Sequence, residues 1–301
     1  MPKFTVSRSI LINAPVEKVF NTINDLNTWV VWSPWLIMDR ATVVNVSGDA
    51  KSYDWNGKRT GSGDMRIINE VEYETIDLDL NFIKPFKSHA KVNFTLNSEG
   101  NNTNVTWNMD SSLPFFMFWM KKMMMAFIGN DYERGLNLLK DYVEDGEIHS
   151  ELNFIGEHQF SGSKYIGVER ETNLDTAASK MGEDIQKLHG FGDMSNVFMM
   201  YKKWDMVKNQ AHYLAGMFVD EIPSNLPAEF IQGQIPSTKI YTLEHVGPYR
   251  HLGNAWSTMS NMQRSKEFKV RKDIFPFETY KNDPGSTAEN ELLTHINFAV
   301  K

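Results

Sequence analysis

The sequence predicts an α+β protein of two domains. The first is an antiparallel sheet wrapped on a long helix that closes the domain; the second is a strand–helix–strand–strand unit used twice. Three observations predict this. Apolar and polar residues alternate through much of the first hundred residues and again after residue 196, the period of half-buried strands. A helical spacing of apolar residues runs over residues 117–143. Finally, FMMYKKWD (198–205) overlays FETYKNDP (277–284), and each is followed by a turn and a closing strand, AGMFV (215–219) and INFAV (296–300). The polar stretch 144–153 reads as a linker, so the domains are expected at 1–145 and 155–301.

In the first half, FTVSRSILI (4–12) alternates as a strand. Asn13 is a candidate N-cap, with Pro15 in the first turn of a helix that carries Val16, Val19, Phe20 and Ile23. That helix dissolves into Trp32-Ser33-Pro34-Trp35. ATVVNV and KSYDW are short strands before a turn at Gly61-Ser62-Gly63. Residues 65–83 form two strands with a break near 70–74, and HAKVNFTLN and NVTWNMD flank a hairpin turn in 98–104.

Composition narrows the function. The 301 residues are 41% hydrophobic and 23% charged, the balance of a globular chain long enough for two cores. Net charge is −7, with 15 Lys and Arg against 19 Asp and Glu in residues 1–150 and 16 against 19 in the rest. Neither half offers the basic face that drives binding to phosphates, so no direct nucleic-acid partner is expected. There is no cysteine, which excludes disulfides, thiol catalysis and Cys-based zinc sites. The N-terminus has no signal-peptide core, and LPFFMFWM (113–120) is too short for a membrane span, so a cytoplasmic protein with no membrane partner is expected.

Bulky apolar residues crowd the first half: Trp29, Trp32, Trp35, Trp55, Trp107, Phe116, Trp119, Met120 and Met124. Each on its own reads as core; as a group they could line a cavity between sheet and helix. WSPWL, GSGDMRI, NVTWNMD and DYERGLNLLKDYVE resemble the START-related polyketide cyclase/dehydrase superfamily (SRPBCC) over about residues 1–145. The resemblance implies a helix-grip fold with a hydrophobic cavity, here lined by Trp32, Trp35, Trp55, Trp107, Phe116 and Met120. It does not imply a reaction.

In the second half, EHQFSGSKYIGVERE is strand-like. Residues 172–189 are helical, NVFMMYKKWD and AHYLAGMFVDE are strands, and 227–240 is a connection. IYTLEHVG leads through Gly247-Pro248 into a helix over 249–267, and two strands close the chain. The internal overlay matches Tyr201 to Tyr280 and Met199 to Glu278, and two such units pair about a pseudo-twofold axis with a cleft between them. Alternation puts Phe277 and Thr279 on one side of their strand, Glu278 and Tyr280 on the other. That second side is either a solvated sheet face or a buried carboxylate framed by rings, a setting that attracts organic cations.

EHVGPY, FPFETYKNDP and LLTHINFAV are similar to the GyrI-like family, which also supplies the effector-binding domains of multidrug-responsive transcription activators. The resemblance covers about 155–301 and implies that Glu278 lies in a central ligand pocket with Tyr280 beside it. Tyr201 and Trp204 are added from the repeat and from the aromatic lining such a pocket needs. With Met199 in the equivalent place, one acidic anchor is expected.

No histidine pair has metal-ligand spacing, and no nucleophile elbow, P-loop or dinucleotide fingerprint occurs, so no metal or cofactor is expected. The expected function is binding of small hydrophobic or cationic organic molecules, as a sensor or a sequestering protein. Without a helix-turn-helix domain, any effect on transcription would be indirect. Two alternatives stay open: a hydrolase of a reactive small molecule, with Glu278 as general base and Tyr280 as its partner, and a protein-interaction module such as a topoisomerase inhibitor. A homodimer through a sheet edge is also left open.

Overall fold

The structure, a computed structural model, describes residues 3–113 and 115–301. It divides between His149 and Ser150 into two compact units.

The first unit runs β1 (Lys3–Ile12), α1 (Val16–Ile23), α2 (Leu26–Trp32), β2 (Val43–Val46), β3 (Ser52–Gly57), β4 (Gly61–Val71), β5 (Thr75–Lys84), β6 (Ser88–Glu99), β7 (Asn102–Ser112) and α3 (Lys121–Asp145). The seven strands form one antiparallel sheet in the order β1-β7-β6-β5-β4-β3-β2. Alternation sets which residues face inward: Ala90, Val92, Phe94 and Leu96 of β6 are buried, as are Val105, Trp107 and Met109 of β7. The helix α3 packs on β1 and buries Tyr132, Leu136, Leu139 and Val143 from its C-terminal half. Gly146, at φ 84°, ends it.

The pairing of WSPW with the ERGL stretch has a physical cause. The Trp35 indole donates to Asp131 at 3.2 Å, and Arg134, itself paired to Asp131 at 2.7 Å, donates to the Pro34 carbonyl at 3.1 Å. Gly135 lets the helix approach, since a Cβ there would lie 2.7 Å from the Trp107 ring and 3.0 Å from Pro34.

Several local expectations are corrected. Pro15, not Asn13, takes the N-cap position; the Asn13 backbone N–H instead donates to Glu144 at 2.5 Å. The helix after it breaks in two at Asn24, because Asp25 caps a second helix by accepting from the Asn27 N–H. Gly61-Ser62-Gly63 is the start of β4 and the turn precedes it. Gly63 is there because a Cβ would strike the Trp55 ring at 2.4 Å and the Asn81 carbonyl at 2.2 Å. Helix α3 begins at Lys121, after a 3₁₀ turn over Phe115–Met120.

The second unit runs β8 (Glu151–Phe160), β9 (Ser163–Thr172), α4 (Leu174–Gln186), β10 (Val197–Asp205), β11 (Gln210–Val219), β12 (Ile231–Ile235), β13 (Thr238–Val246), α5 (Leu252–Arg264), β14 (Phe277–Tyr280) and β15 (Leu293–Ala299). The stretch read as a connection thus holds β12, and the strand-like stretch before it holds both β8 and β9. All eight strands form one antiparallel sheet ordered β12-β9-β11-β10-β14-β15-β13-β8.

That order is symmetric. β9-α4-β10-β11 and β13-α5-β14-β15 occupy mirrored places, and the strand preceding each unit crosses to the far edge of the other. The two units meet where β10 pairs β14, with Met199 directly opposite Glu278. Two residues matched by the repeat are therefore cross-strand partners, so the pseudo-twofold axis passes between them.

Candidate functional site

Glu278 stands at this axis. Its strand neighbour Phe277 points to the opposite face, into a core with Phe198, Met200, Leu214 and Ile274. Glu278 and Tyr280 point to the helix-covered face, where Met199 and Tyr201 also lie with Ala177 and Met181 of α4. The Glu278 side is thus no solvated sheet surface: the residue is 2% exposed.

A carboxylate this deep must find donors. The Trp256 indole N–H from α5 donates to Oε1, and the Tyr280 hydroxyl donates to Oε2 at 3.0 Å. The Tyr201 hydroxyl acts on the same group. Among the described residues no Lys, Arg or His pairs with it. Burial therefore raises the Glu278 pKa, and the donors from Trp256, Tyr280 and Tyr201 only partly offset it. Burial, followed by the negative charge of Glu278, pushes the Tyr201 and Tyr280 hydroxyls well above the usual phenol value. The same two causes, with a further push from Asp283, raise Tyr249 to about 12. All three tyrosines stay neutral donors at physiological pH.

A second buried carboxylate in the same domain makes the contrast. Asp184 of α4 is held by Arg170 through two hydrogen bonds of 2.5 Å and by the Tyr213 hydroxyl at 2.9 Å. Burial works against its charge, but these partners outweigh it and lower its pKa. Asp184 is a neutralised structural ion pair. Glu278 is a carboxyl group with hydrogen bonds and, among the described residues, no countercharge.

Rings surround that group. Tyr201 lies edge-on to Trp256 at 4.8 Å between centroids and to Trp204 at 5.6 Å; Tyr249 lies edge-on to Tyr280 at 5.5 Å. Tyr249 and Trp204 are 38% and 47% exposed, so they lie at the surface end of this cluster of rings. Sequence reasoning named Glu278, Tyr280, Tyr201 and Trp204, and the structure puts all four in this one region. It did not name Trp256 or Tyr249. Their signal was an i, i+7 spacing that starts inside the GPY turn and puts both rings on one side of a helix.

The aromatic residues of the first unit are placed differently. Trp32 and Trp107 are buried, and Trp29, Trp35, Phe94 and Tyr132 pack around them; Trp107 stacks on Tyr132 at 3.9 Å, and Trp29 meets Trp32 edge-on at 4.5 Å. Trp55 stacks on Tyr53 at 5.2 Å, nearer the sheet edge. These rings pack on one another. Phe116 and Trp119 lie outside it, and Met120 and Met124 are only half-buried. No three His, Asp or Glu side chains among the described residues are grouped to hold a metal ion. No described helix is long and apolar enough to cross a membrane.

Comparison with known proteins agrees with these two units. A family model described as polyketide cyclase/dehydrase and lipid transport matches residues 3–144, and one described as the GyrI-like small molecule binding domain matches residues 160–301. Among solved structures, a Mesorhizobium loti protein is 13% identical, with a TM-score of 0.37, and covers 48% of this chain and 100% of its own. The Aha1 dimer from Colwellia psychrerythraea is 19% identical, with a TM-score of 0.35, covering 48% and 98%. The C-terminal domain of EcmrR is 16% identical, with a TM-score of 0.38, covering 50% and 98%. No curated protein matches the chain. The chain is a domain of the START-related polyketide cyclase/dehydrase family joined to a GyrI-like small molecule binding domain.

Proposed function

We propose that the C-terminal domain binds an organic cation carrying apolar or aromatic groups, and that Glu278 is the anchor for its charge. The observation that carries this reading is a carboxylate 2% exposed, hydrogen-bonded by Trp256 and Tyr280 and unpaired with any cation among the described residues. Three neutral donors orient the group without cancelling its charge. The charge is left for a ligand to neutralise, in a site where low dielectric strengthens the attraction.

The rings decide what kind of cation fits. Tyr201, Trp256, Tyr280 and Tyr249 offer π faces and edges around the carboxylate. Cation–π attraction adds about 0.5–2 kcal/mol per ring contact, and it favours delocalised or alkylated cations over a strongly hydrated ammonium. A hydrogen-bonded carboxylate framed by aromatic rings is the equipment of a recognition site. The protein then acts as a sensor or a sequestering module for such compounds.

The test is calorimetric titration with a lipophilic cation and its neutral isostere, in two buffers of different ionisation enthalpy. The raised pKa of Glu278 means that a bound cation pulls the carboxylate back toward its charged form, so binding near that pKa releases protons. Expected is binding of the cation, weak binding of the isostere, and proton release that shrinks as pH rises. Equal affinity for the two compounds would refute the reading.

A further inference from the structure

The longest apolar run of the sequence is LPFFMFWM; Leu113 is buried, but the aromatic residues that follow do not enter the core. Phe115, Phe116, Phe118 and Trp119 are 59–79% exposed, on the 3₁₀ turn between β7 and α3. Phe86, 78% exposed, caps the turn between β5 and β6, beside the exposed Ile83. Strand register brings the two segments to one end of the sheet: Phe82 pairs with Ser88, Ala90 pairs with Ser111, and the Ser111 hydroxyl donates to the His89 carbonyl at 3.1 Å. Exposed aromatic rings on two adjoining turns are costly in water, and a patch of this kind marks an interaction surface.

The charges around it are one-sided. Lys84 and Lys87 flank Phe86, and Lys121 and Lys122 follow Trp119 directly. Among the described residues none of the four pairs with a carboxylate. No Asp or Glu occurs in residues 82–91 or in residues 111–130, although the chain as a whole carries −7. The two segments that carry the rings hold lysines and no acid; the carboxylates nearest along the sheet, Asp79 and Asp110, lie opposite Lys91, further in.

We infer that this end of the N-terminal sheet docks on an anionic lipid bilayer. Trp and Phe rings settle at the headgroup boundary, and lysine stems reach along them to lipid phosphates. Such docking needs no spanning segment, so the shortness of the apolar run does not oppose it. The rings protrude from turns, the shape of a tip that enters an interface. The inference is independent of the proposed Glu278 site, which lies in the other domain.

The test is flotation of the full chain with vesicles of phosphatidylcholine alone and with about one-third phosphatidylglycerol added, at low and high salt. Expected is binding to the anionic vesicles, weakened by salt, with little on the neutral ones. Phe116→Ser with Trp119→Ser abolishes it. Lys121→Gln with Lys122→Gln weakens it roughly 25-fold, since each lysine near an anionic surface is worth about a factor of five. All four side chains lie at the surface, and an unchanged melting temperature verifies that the variants fold. Absence of flotation, or flotation indifferent to both variants, overturns the inference. So does equal binding to neutral vesicles. Concentration-dependent self-association that the Ser variant abolishes, without vesicle binding, would assign the patch to a second copy of the chain and also overturn it.

Discussion

Replacing Glu278 by Gln separates charge from shape at the candidate site. The amide keeps an oxygen to accept from Trp256 and leaves Tyr280 within hydrogen-bond reach, so the packing stays. What is lost is the negative charge. Two unit charges about 4 Å apart at an effective dielectric near 20 attract by about 4 kcal/mol, so a cation anchored there loses about a thousandfold in affinity. Stability moves the other way. The pKa of Glu278 is raised on folding, so the carboxyl favours the folded state below its ordinary pKa of 4.5 and loses that contribution as pH rises through the folded value. At neutral pH the wild type therefore carries the cost of a desolvated charge and the Gln variant does not. Each kcal/mol relieved raises the melting temperature of a domain of this size by about 3 °C. Thermal melts across pH 4–9 and cation titrations check both halves of the argument. The expected pattern is a variant equal to wild type at acid pH, more stable above it, and unable to bind the cation. A variant that binds as well as wild type, or is less stable at neutral pH, refutes the reasoning.

Trp256→Phe keeps the ring and removes a donor to the buried carboxylate, a loss of about 1–3 kcal/mol, so the pH midpoint of cation binding rises by roughly one to two units in a titration series. His245, fully buried against Ser150 at 3.0 Å, has its pKa held down to about 3 by burial and by the nearby His251. Between pH 6.5 and 3 the unfolded chain takes up a proton that the folded one refuses. Stability thus falls by about 1.4 kcal/mol per pH unit toward acid, about 5 kcal/mol in all. Urea unfolding from pH 7 to 5 should show this slope in wild type and lose it in His245→Asn. In the first domain, Gly135→Ala drives a methyl into Trp107 and Pro34 and costs about 1–3 kcal/mol, read as a lower denaturation midpoint with an unchanged slope.

The fold was legible where a period is long enough to be counted. The alternation in β6 and β7 gave strands and their inward faces, and the matched FMMYKKWD and FETYKNDP blocks gave the duplicated sheet. Legibility failed where one contact outweighs a pattern. Asn13 has the right chemistry for an N-cap, but its backbone N–H is taken by Glu144, far along the chain. Gly61 and Gly63 read as a turn, yet Gly63 is small to admit the Trp55 ring over a strand. Phe116 and Trp119 were expected inside because apolarity ordinarily means burial; nothing in their sequence tells which end of the sheet they leave from. Trp256 and Tyr249 escaped notice because helical spacing fixes which residues share a face but not which way that face turns.

The single acidic anchor follows from the symmetry. In an antiparallel pair, residues directly opposite hold their side chains about 5 Å apart, and like charges there destabilise the sheet. Met199 is the partner of Glu278 across the axis. Had both repeats kept a glutamate, two carboxyl groups would face each other in a buried site; one would hold a proton, and the pair would carry the same single charge at the cost of burying a second polar group. Met199, fully buried, instead supplies an apolar and polarisable wall beside the carboxylate. The departure from symmetry at residue 199 lets Glu278 stand without a like group opposite it, and Met199→Glu should lower the melting temperature at neutral pH while adding nothing to cation affinity.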